Sequence, residues 1–446
     1  MFMVKIEVKN MLKRKIMTKL LEWKEKKKEE CLLIKGARQV GKTFIIREFG
    51  KKYYKNVIEI NFELQPEYKN IFEGNLDINT LLNNIEVSFP DQEIVKGETL
   101  LFLDEIQACP NARVALKSFA QDDRLDVIAS GSLLGLYYKE VRSYPVGYEK
   151  EIELYPLDFE EFLWAINIKE NLIEICKDAF TNKKQISESF LNKMQEYFRL
   201  YMLIGGMPSV VNEYLKEKRL RDAIEEQSKL VNNYKRDVLK YADDKQKILN
   251  TFESIPYQLS KKNKKFVYSE IKDNKNKDGS REYFSSLRWL KDASIIHYCN
   301  NLTEPAIPLA SNIRQNSFKV YMRDTGLLLS TMENNIYVSI NNDDLYVNEG
   351  AILENVCAEE IATRYNDLVM YFERKSSLEI DFILNIDGVA TAIEVKSGNN
   401  RQAKSLDSII NNYKTVKRYI KLENDTKIYV DNKGIEHYPL FMIMFI

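Results

Sequence analysis

Histidine is nearly absent, with two residues in a chain of 446. Cysteine is sparse: Cys31, Cys109, Cys176, Cys299 and Cys357 are widely spaced, and no CxxC pair occurs. Zinc sites need clustered ligands and disulfide frameworks need paired thiols, so neither is expected and a reducing compartment fits best. No apolar run approaches the roughly 18 residues of a membrane span. Residues 1–28 lack the continuous apolar stretch and small-residue cleavage site of a signal peptide. The expected location is therefore cytoplasmic, with no membrane partner. Net charge is missing too, since 66 Lys and Arg balance 66 Asp and Glu. Without a global field, any polyanion has to be held by a local patch.

What the chain does have is the composition of a folded protein, 44% hydrophobic and 30% charged. Its length predicts two to four domains. Residues 1–29 form the first segment, with a basic amphipathic helix over 11–29 whose apolar positions are Met11, Ile16, Leu20, Leu21 and Trp23. This helix is expected to pack on the next domain. Residues 30–155 alternate short apolar strands (31–34, 57–61, 100–103, 126–129) with helical stretches, the pattern of a parallel α/β sheet. Residues 156–260 read as a helical lid, interrupted by the turn Gly205-Gly206-Met207-Pro208. Residues 261–345 open on Lys261-Lys262-Asn263-Lys264-Lys265 and continue with a helix near 282–291 and a strand near 295–298, which suggests a winged-helix-like module. Residues 346–446 read as helix 349–364, strands 368–373, 378–384 and 389–396, helix 401–413 and strand 416–422.

Gly36-Ala37-Arg38-Gln39-Val40-Gly41-Lys42-Thr43 satisfies GxxxxGK[ST] at every fixed position, between a strand and a helix. Glycines let such a loop wrap a phosphate with its N–H groups inward, and the helix N-terminus adds favourable partial charge. Lys42 is expected to reach the β- and γ-phosphates and Thr43 to offer its hydroxyl to Mg²⁺. The second half is Leu100-Leu101-Phe102-Leu103-Asp104-Glu105, a buried strand with two acids at its carboxyl end, where parallel sheets bind ligands. Asp104 would hold the Mg²⁺ shell and Glu105 would orient the attacking water. A third strand ends in Ser130-Gly131-Ser132, where Ser130 or Ser132 would sense the γ-phosphate. NKxD is absent, so ATP is preferred to GTP. Arg113, Arg124 and Arg142 remain open as the arginine finger.

Together with ASGSLLG, Pro145-Val146-Gly147 and Tyr155–Phe162 (YPLDFEEF), these motifs resemble a widespread group of prokaryotic AAA-type ATPases. Tyr201–Pro208 (YMLIGGMP) and Tyr321–Leu327 (YMRDTGL) resemble further motifs of that group. The resemblance implies an AAA+ P-loop core, ATP binding and a nuclease-like tail. Tyr148 departs from it where relatives often carry Arg, so no charge-sensing role is assigned there.

In the C-terminal segment, Asp387-Gly388 is a two-residue hairpin signal. Pairing Ile386 with Val389 puts Asp381 opposite Glu394, and Lys396 on the same face as Glu394. Two carboxylates and a lysine suit metal-dependent phosphodiester cleavage: Asp381 and Glu394 would bind Mg²⁺, and Lys396 would activate the attacking water. The pattern resembles the PD-(D/E)XK nuclease superfamily. That resemblance implies a helix acid, assigned to Glu354 with Glu349 and Glu359 as alternatives. The competing reading is a solvated polar face with one ion pair. Residues 261–330 carry 13 Lys and Arg against 7 Asp and Glu, which favours a DNA or RNA backbone contact.

The expected protein is thus an α/β P-loop AAA+ ATPase with a helical lid, a winged-helix-like module and a nuclease-like C-terminal domain, using ATP and Mg²⁺ and able to form a homo-oligomer. The rival reading is an ATP-dependent switch that binds a protein partner through a catalytically inactive scaffold.

Overall fold

Three of the four apolar runs become the inner strands of a parallel sheet, with both faces covered, and the run 57–61 becomes an edge strand. The computed structural model describes residues 12–26, 30–132, 147–271, 280–332, 337, 349–374, 378–396, 404–424 and 427–446, without the side chains of 280–282 and 349. These residues fall into two compact units: Arg14–Tyr155 with Trp289–Ile295, and the remainder.

The first unit holds α1 (Ile16–Glu25), β1 (Cys31–Lys35), α2 (Lys42–Tyr53), β2 (Asn56–Asn61), α3 (Ile78–Ser88), β3 (Thr99–Asp104), α4 (Pro110–Ala120), β4 (Asp126–Gly131) and β5 (Glu149–Glu153). The sheet runs β2-β3-β4-β1-β5, parallel throughout. Side chains alternate across it. Leu33, Leu101, Leu103 and Val127 meet Leu81 of α3 and Leu116 and Phe119 of α4. Leu32, Ile34, Phe102 and Ile128 meet Ile46 and Phe49 of α2, together with Ile16, Leu20 and Trp23 of α1. The ten-residue α1 thereby spends its apolar stripe on the sheet. Met11 lies outside the described residues.

The second unit begins with helices α5 (Phe159–Ala165), α6 (Glu170–Asn182), α7 (Glu188–Ile204), α8 (Pro208–Glu217), α9 (Leu220–Tyr241) and α10 (Lys245–Leu259). After α11 (Ser280–Asp292) come β6 (Ile296–Leu302), β7 (Ile313–Met322), α12 (Thr325–Ser330), α13 (Glu349–Arg364), β8 (Val369–Arg374), β9 (Leu378–Ile380), β10 (Phe382–Ile386), β11 (Val389–Lys396), α14 (Lys404–Asn412), β12 (Arg418–Glu423), β13 (Tyr429–Val430) and β14 (Ile435–Pro439). They make a four-stranded sheet, β7-β6-β8-β9, and a five-stranded sheet, β10-β11-β12-β14-β13.

The strands on either side of the expected boundary at 345 share one sheet, since β6 pairs with β7 on one side and with β8 on the other. Hydrogen bonding to a later strand absorbs the edge that a free-standing wing would have left open. The single strand expected over 378–384 is two strands in different sheets: β9 pairs with β8, and β10 with β11. The break is at Asp381, whose Oδ2 accepts the Val395 N–H at 2.8 Å. A side chain that takes a ladder donor ends the ladder there.

Three motifs close on one another inside this unit. Asp324 caps α12 at the Leu327 N–H and also accepts the Gly206 N–H, at 2.8 and 2.6 Å. Glu359 accepts from the Tyr201 hydroxyl and from the Thr325 N–H and hydroxyl. A Cβ on Gly206 would lie 2.0 Å from the Leu157 oxygen, and one on Gly326 would lie 2.4 Å from the Ile204 oxygen. Among the described residues, no helix is long and apolar enough to cross a membrane.

Candidate functional site

Parallel register sets one row of polar residues at the carboxyl ends of three strands. Asn61 pairs with Asp104 across β2 and β3, and Ser130 follows Ala129, the partner of Leu103. Asp104 is buried and collects all of them. Its Oδ2 accepts the Thr43 hydroxyl and the Asn61 amide at 3.0 Å each. Its Oδ1 accepts the Ser130 hydroxyl and the Glu105 N–H. Four donors on one buried carboxylate fix its orientation.

The loop before α2 supplies the other wall. Gln39 and Gly41 have φ of 66° and 99°, the left-handed turns that aim successive N–H groups inward. Gly36 has φ of 150°, and a Cβ there would lie 2.3 Å from the Leu154 oxygen. Lys42 is buried and donates to the Gly36 and Ala37 carbonyls at 2.9 Å each. Burial pulls its pKa down to about 8, against the pull of Glu105 and Asp104. Glu105, at φ 52°, turns out of β3 and accepts from Gln107 at 2.6 Å and Ser132 at 3.5 Å. Burial raises its pKa. The donor set suits Mg²⁺: the Thr43 proton points at Asp104, which leaves the hydroxyl lone pairs for a cation.

The structure therefore brings together Lys42, Thr43, Asp104, Glu105 and Ser130. Asn61 and Gln107 were not picked out from the sequence. The signal for Asn61 was a polar residue ending a third neighbouring strand. The arginine candidates fare differently. Arg113 is buried against Glu149 and Glu151, at 2.8 and 3.4 Å, and Arg124 is clamped by Asp122 and Asn79. Both guanidinium groups are paired within the chain, Arg113 buried and Arg124 at 41% exposure. Arg142 lies outside the described residues.

A second cluster lies in the other unit. The Asp387-Gly388 turn has φ of 50° and 82°, and β10 and β11 pair Ile386 with Val389 and Phe382 with Ile393. Asp381 and Glu394 are both buried, and Lys396 Nζ sits 2.5 Å from Glu394 Oε1. Glu394 Oε2 is buried without a hydrogen-bond partner. Burial pushes Asp381 well above the ordinary carboxylate range, and neighbouring Glu354 and Glu394 push the same way.

Glu354 is in the same cluster but differently occupied. It accepts from Lys264 Nζ at 2.6 Å, Lys319 Nζ at 3.2 Å and the Tyr321 hydroxyl at 2.8 Å. Burial alone would raise its pKa; Lys319 and Lys264 instead bring it down to about 2. The expected three-acid metal set is corrected accordingly. Among the described residues, no group of three or more His, Cys, Asp or Glu is arranged to hold a metal ion. Two lysines already neutralise the helix acid. Glu359 is excluded as its alternative, since five residues on from Glu354 it lies roughly 140° around the helix and serves Tyr201 and Thr325. The Glu349 side chain lies outside the described set.

Three lysines of the basic run are paired internally. Lys261 pairs with Glu270, Lys264 with Glu354 and Lys265 with Glu373, at 2.6, 2.6 and 2.7 Å.

Residues 28–163 match the family model described as an AAA domain. Residues 195–335 and 349–442 match two domains of unknown function. The first unit thus has an α/β fold with a parallel sheet that matches a P-loop NTPase core. No curated protein matches the chain. Among solved structures, the Walker-type ATPase PABY2304 of Pyrococcus abyssi is similar at 18% identity and TM-score 0.44, over 73% of this chain and 97% of that one. PCH-2 of C. elegans is similar at 10% and 0.27, over 47% and 67%. Cdc6p of Pyrobaculum aerophilum is similar at 12% and 0.26, over 75% and 97%.

Proposed function

We propose that this protein binds and hydrolyses ATP with Mg²⁺ and couples nucleotide state to movement of its nuclease-like C-terminal region. The observation that carries the ATPase reading is Asp104, held in one orientation by Thr43, Asn61, Ser130 and the Glu105 N–H. Lys42 now donates to two loop carbonyls, and it would exchange them for β- and γ-phosphate oxygens. Thr43, backed by Asp104, would hold Mg²⁺, which neutralises the charge developing on the phosphates. Glu105 accepts from Gln107 and would turn to orient the attacking water. Ser130, beside Asp104, would report on the γ-phosphate.

Calorimetry tests this reading. Lys42→Ala is expected to abolish ATP·Mg²⁺ binding. Glu105→Gln is expected to keep binding while turnover falls about 10²–10⁴-fold, the range for loss of a positioned base. Unchanged turnover in Glu105→Gln would overturn the assignment.

For the C-terminal cluster, Asp381 and Glu394 would hold Mg²⁺ and Lys396 would activate water on a DNA or RNA phosphodiester. The orphaned Glu394 Oε2 supports this, being an unmet acceptor beside a second carboxylate. Asp381→Ala and Lys396→Ala should each remove metal-dependent cleavage. The saturation of Glu354 by Lys264, Lys319 and Tyr321 favours the second reading, a silent scaffold in a switch that binds a protein partner. Equal cleavage by wild type and both variants would decide for it.

A further inference from the structure

One short stretch of backbone bears on both ends of the P-loop. The Leu154 N–H donates to the Lys35 carbonyl at 2.8 Å, and the Leu154 oxygen lies so close to Gly36 that a Cβ there would sit 2.3 Å from it. At the other end, buried Arg14 donates through Nη1 to the Val40 carbonyl at 3.4 Å and through Nη2 to the Tyr155 carbonyl at 2.6 Å. Arg14 is itself anchored, since its carbonyl accepts the Met17 N–H where α1 begins. Residues 154–155 are therefore seated on the first residue of the loop and tied to the one before Gly41. Lys42 donates to the Gly36 and Ala37 carbonyls, and in the nucleotide-bound form proposed above its ammonium leaves both. The part of the loop that changes partners is thus the part on which Leu154 rests.

After Tyr155 the chain passes into the second unit, and it is held again at once. The Leu157 N–H donates to the Gly206 carbonyl at 2.8 Å, and the Leu157 carbonyl accepts the Tyr201 hydroxyl at 2.9 Å. The Phe159 N–H donates to Glu360 Oε1 at 2.6 Å. Between the two sets of anchors stands one residue, Pro156, which is buried. Proline fixes its own φ and restricts the residue before it, so a displacement at Tyr155 has little slack in which to disappear. A connector meant to let two units move independently would be glycine-rich and longer.

We propose that Tyr155-Pro156-Leu157 is a rigid joint that carries nucleotide state out of the P-loop unit, with Arg14 as the positioning residue that ties the joint to the loop. The inference rests on the ATP-binding and coupling readings given above. It assigns a task to two stretches that the nucleotide site leaves unused: YPLDFEEF supplies the joint, and YMLIGGMP supplies the socket that Leu157 occupies.

The test is hydrogen exchange on the full chain, with and without saturating ATP·Mg²⁺, read in peptides covering 157–166 and 201–212 of the second unit. In the wild type, nucleotide is expected to change exchange there about ten-fold, within the usual range of coupling between sites. Pro156→Gly is expected to keep nucleotide binding and lose that response. Arg14→Met, compared at saturating nucleotide so that a change in affinity does not enter, is expected to lose it as well. A purely structural role for either residue would alter exchange equally with and without nucleotide, and thermal unfolding checks that both variants fold. An undiminished response in either folded variant would overturn the joint and leave coupling standing. Nucleotide binding by the wild type with no response beyond residue 156 would overturn the coupling and the joint together. Absence of nucleotide binding would overturn the ATPase reading itself.

Discussion

Lys42 shows how a single residue links structure to a measurable pH effect. Its ammonium is buried against two loop carbonyls, and its pKa lies near 8. Phosphate oxygens stabilise the charged form, so nucleotide binding has to raise that pKa. Binding at pH 8 is then expected to take up about half a proton, and little at pH 6.5, where the lysine is already charged. Affinity should fall as pH rises through 8. Titration in buffers of different ionisation enthalpy measures the uptake directly. No uptake at pH 8 would mean that Lys42 does not meet the phosphates. The P-loop residues were fully legible in the sequence because their work is local: glycine conformations, a helix N-terminus, a lysine and a hydroxyl side by side. Asn61 was not, because its role depends on which residue the neighbouring strand puts opposite it.

Elements were legible where periodicity alone defines them. The strands β1 to β4, the helix 349–364 and the strand 389–396 follow the expected bounds closely. The hairpin register also follows from two turn residues of positive φ. Misreadings arose where an element's fate lies with a distant partner. Nothing in LEIDFIL marks Asp381 as the point where the chain changes sheets; that depends on the Val395 N–H, 14 residues away. The strand 435–439 carries no alternation, since every residue in it is buried. The turn at Gly205-Gly206 was recognised as a turn, but not as a docking point. Its glycines now give a stability prediction. Gly206→Ala should cost roughly 2–4 kcal/mol in urea unfolding, since its Cβ would meet the Leu157 backbone. Gly74→Ala is the control: it has positive φ but open space, and should cost only about 1 kcal/mol. Equal losses at the two sites would show that the contact around Gly206 is loosely packed.

For the whole molecule, the two compact units turn the coupling proposal into a calorimetric question. ATP·Mg²⁺ at about 100 times Kd should stabilise the unit that binds it by about 2.7 kcal/mol. If nucleotide state is transmitted to the second unit, its transition in scanning calorimetry should rise as well, because coupling between sites is reciprocal. A shift confined to one transition would remove the coupling and leave two independent machines on one chain. The Lys42→Ala variant, expected to show neither shift, supplies the baseline.

The sequence by itself determined the P-loop, the acid pair after a buried strand, the alternation of strands and helices in the first unit and the Asp387-Gly388 hairpin. Each is written within a few residues, where backbone conformation and side-chain spacing act locally. Only the tertiary structure decided which charges meet. It placed Arg113 against Glu149, paired Lys261 and Lys265 with internal acids, broke a strand at Asp381 and set Lys264 and Lys319 on Glu354. Electrostatic partners are chosen by proximity in space and by the need to match every buried charge, and neither is visible along the chain.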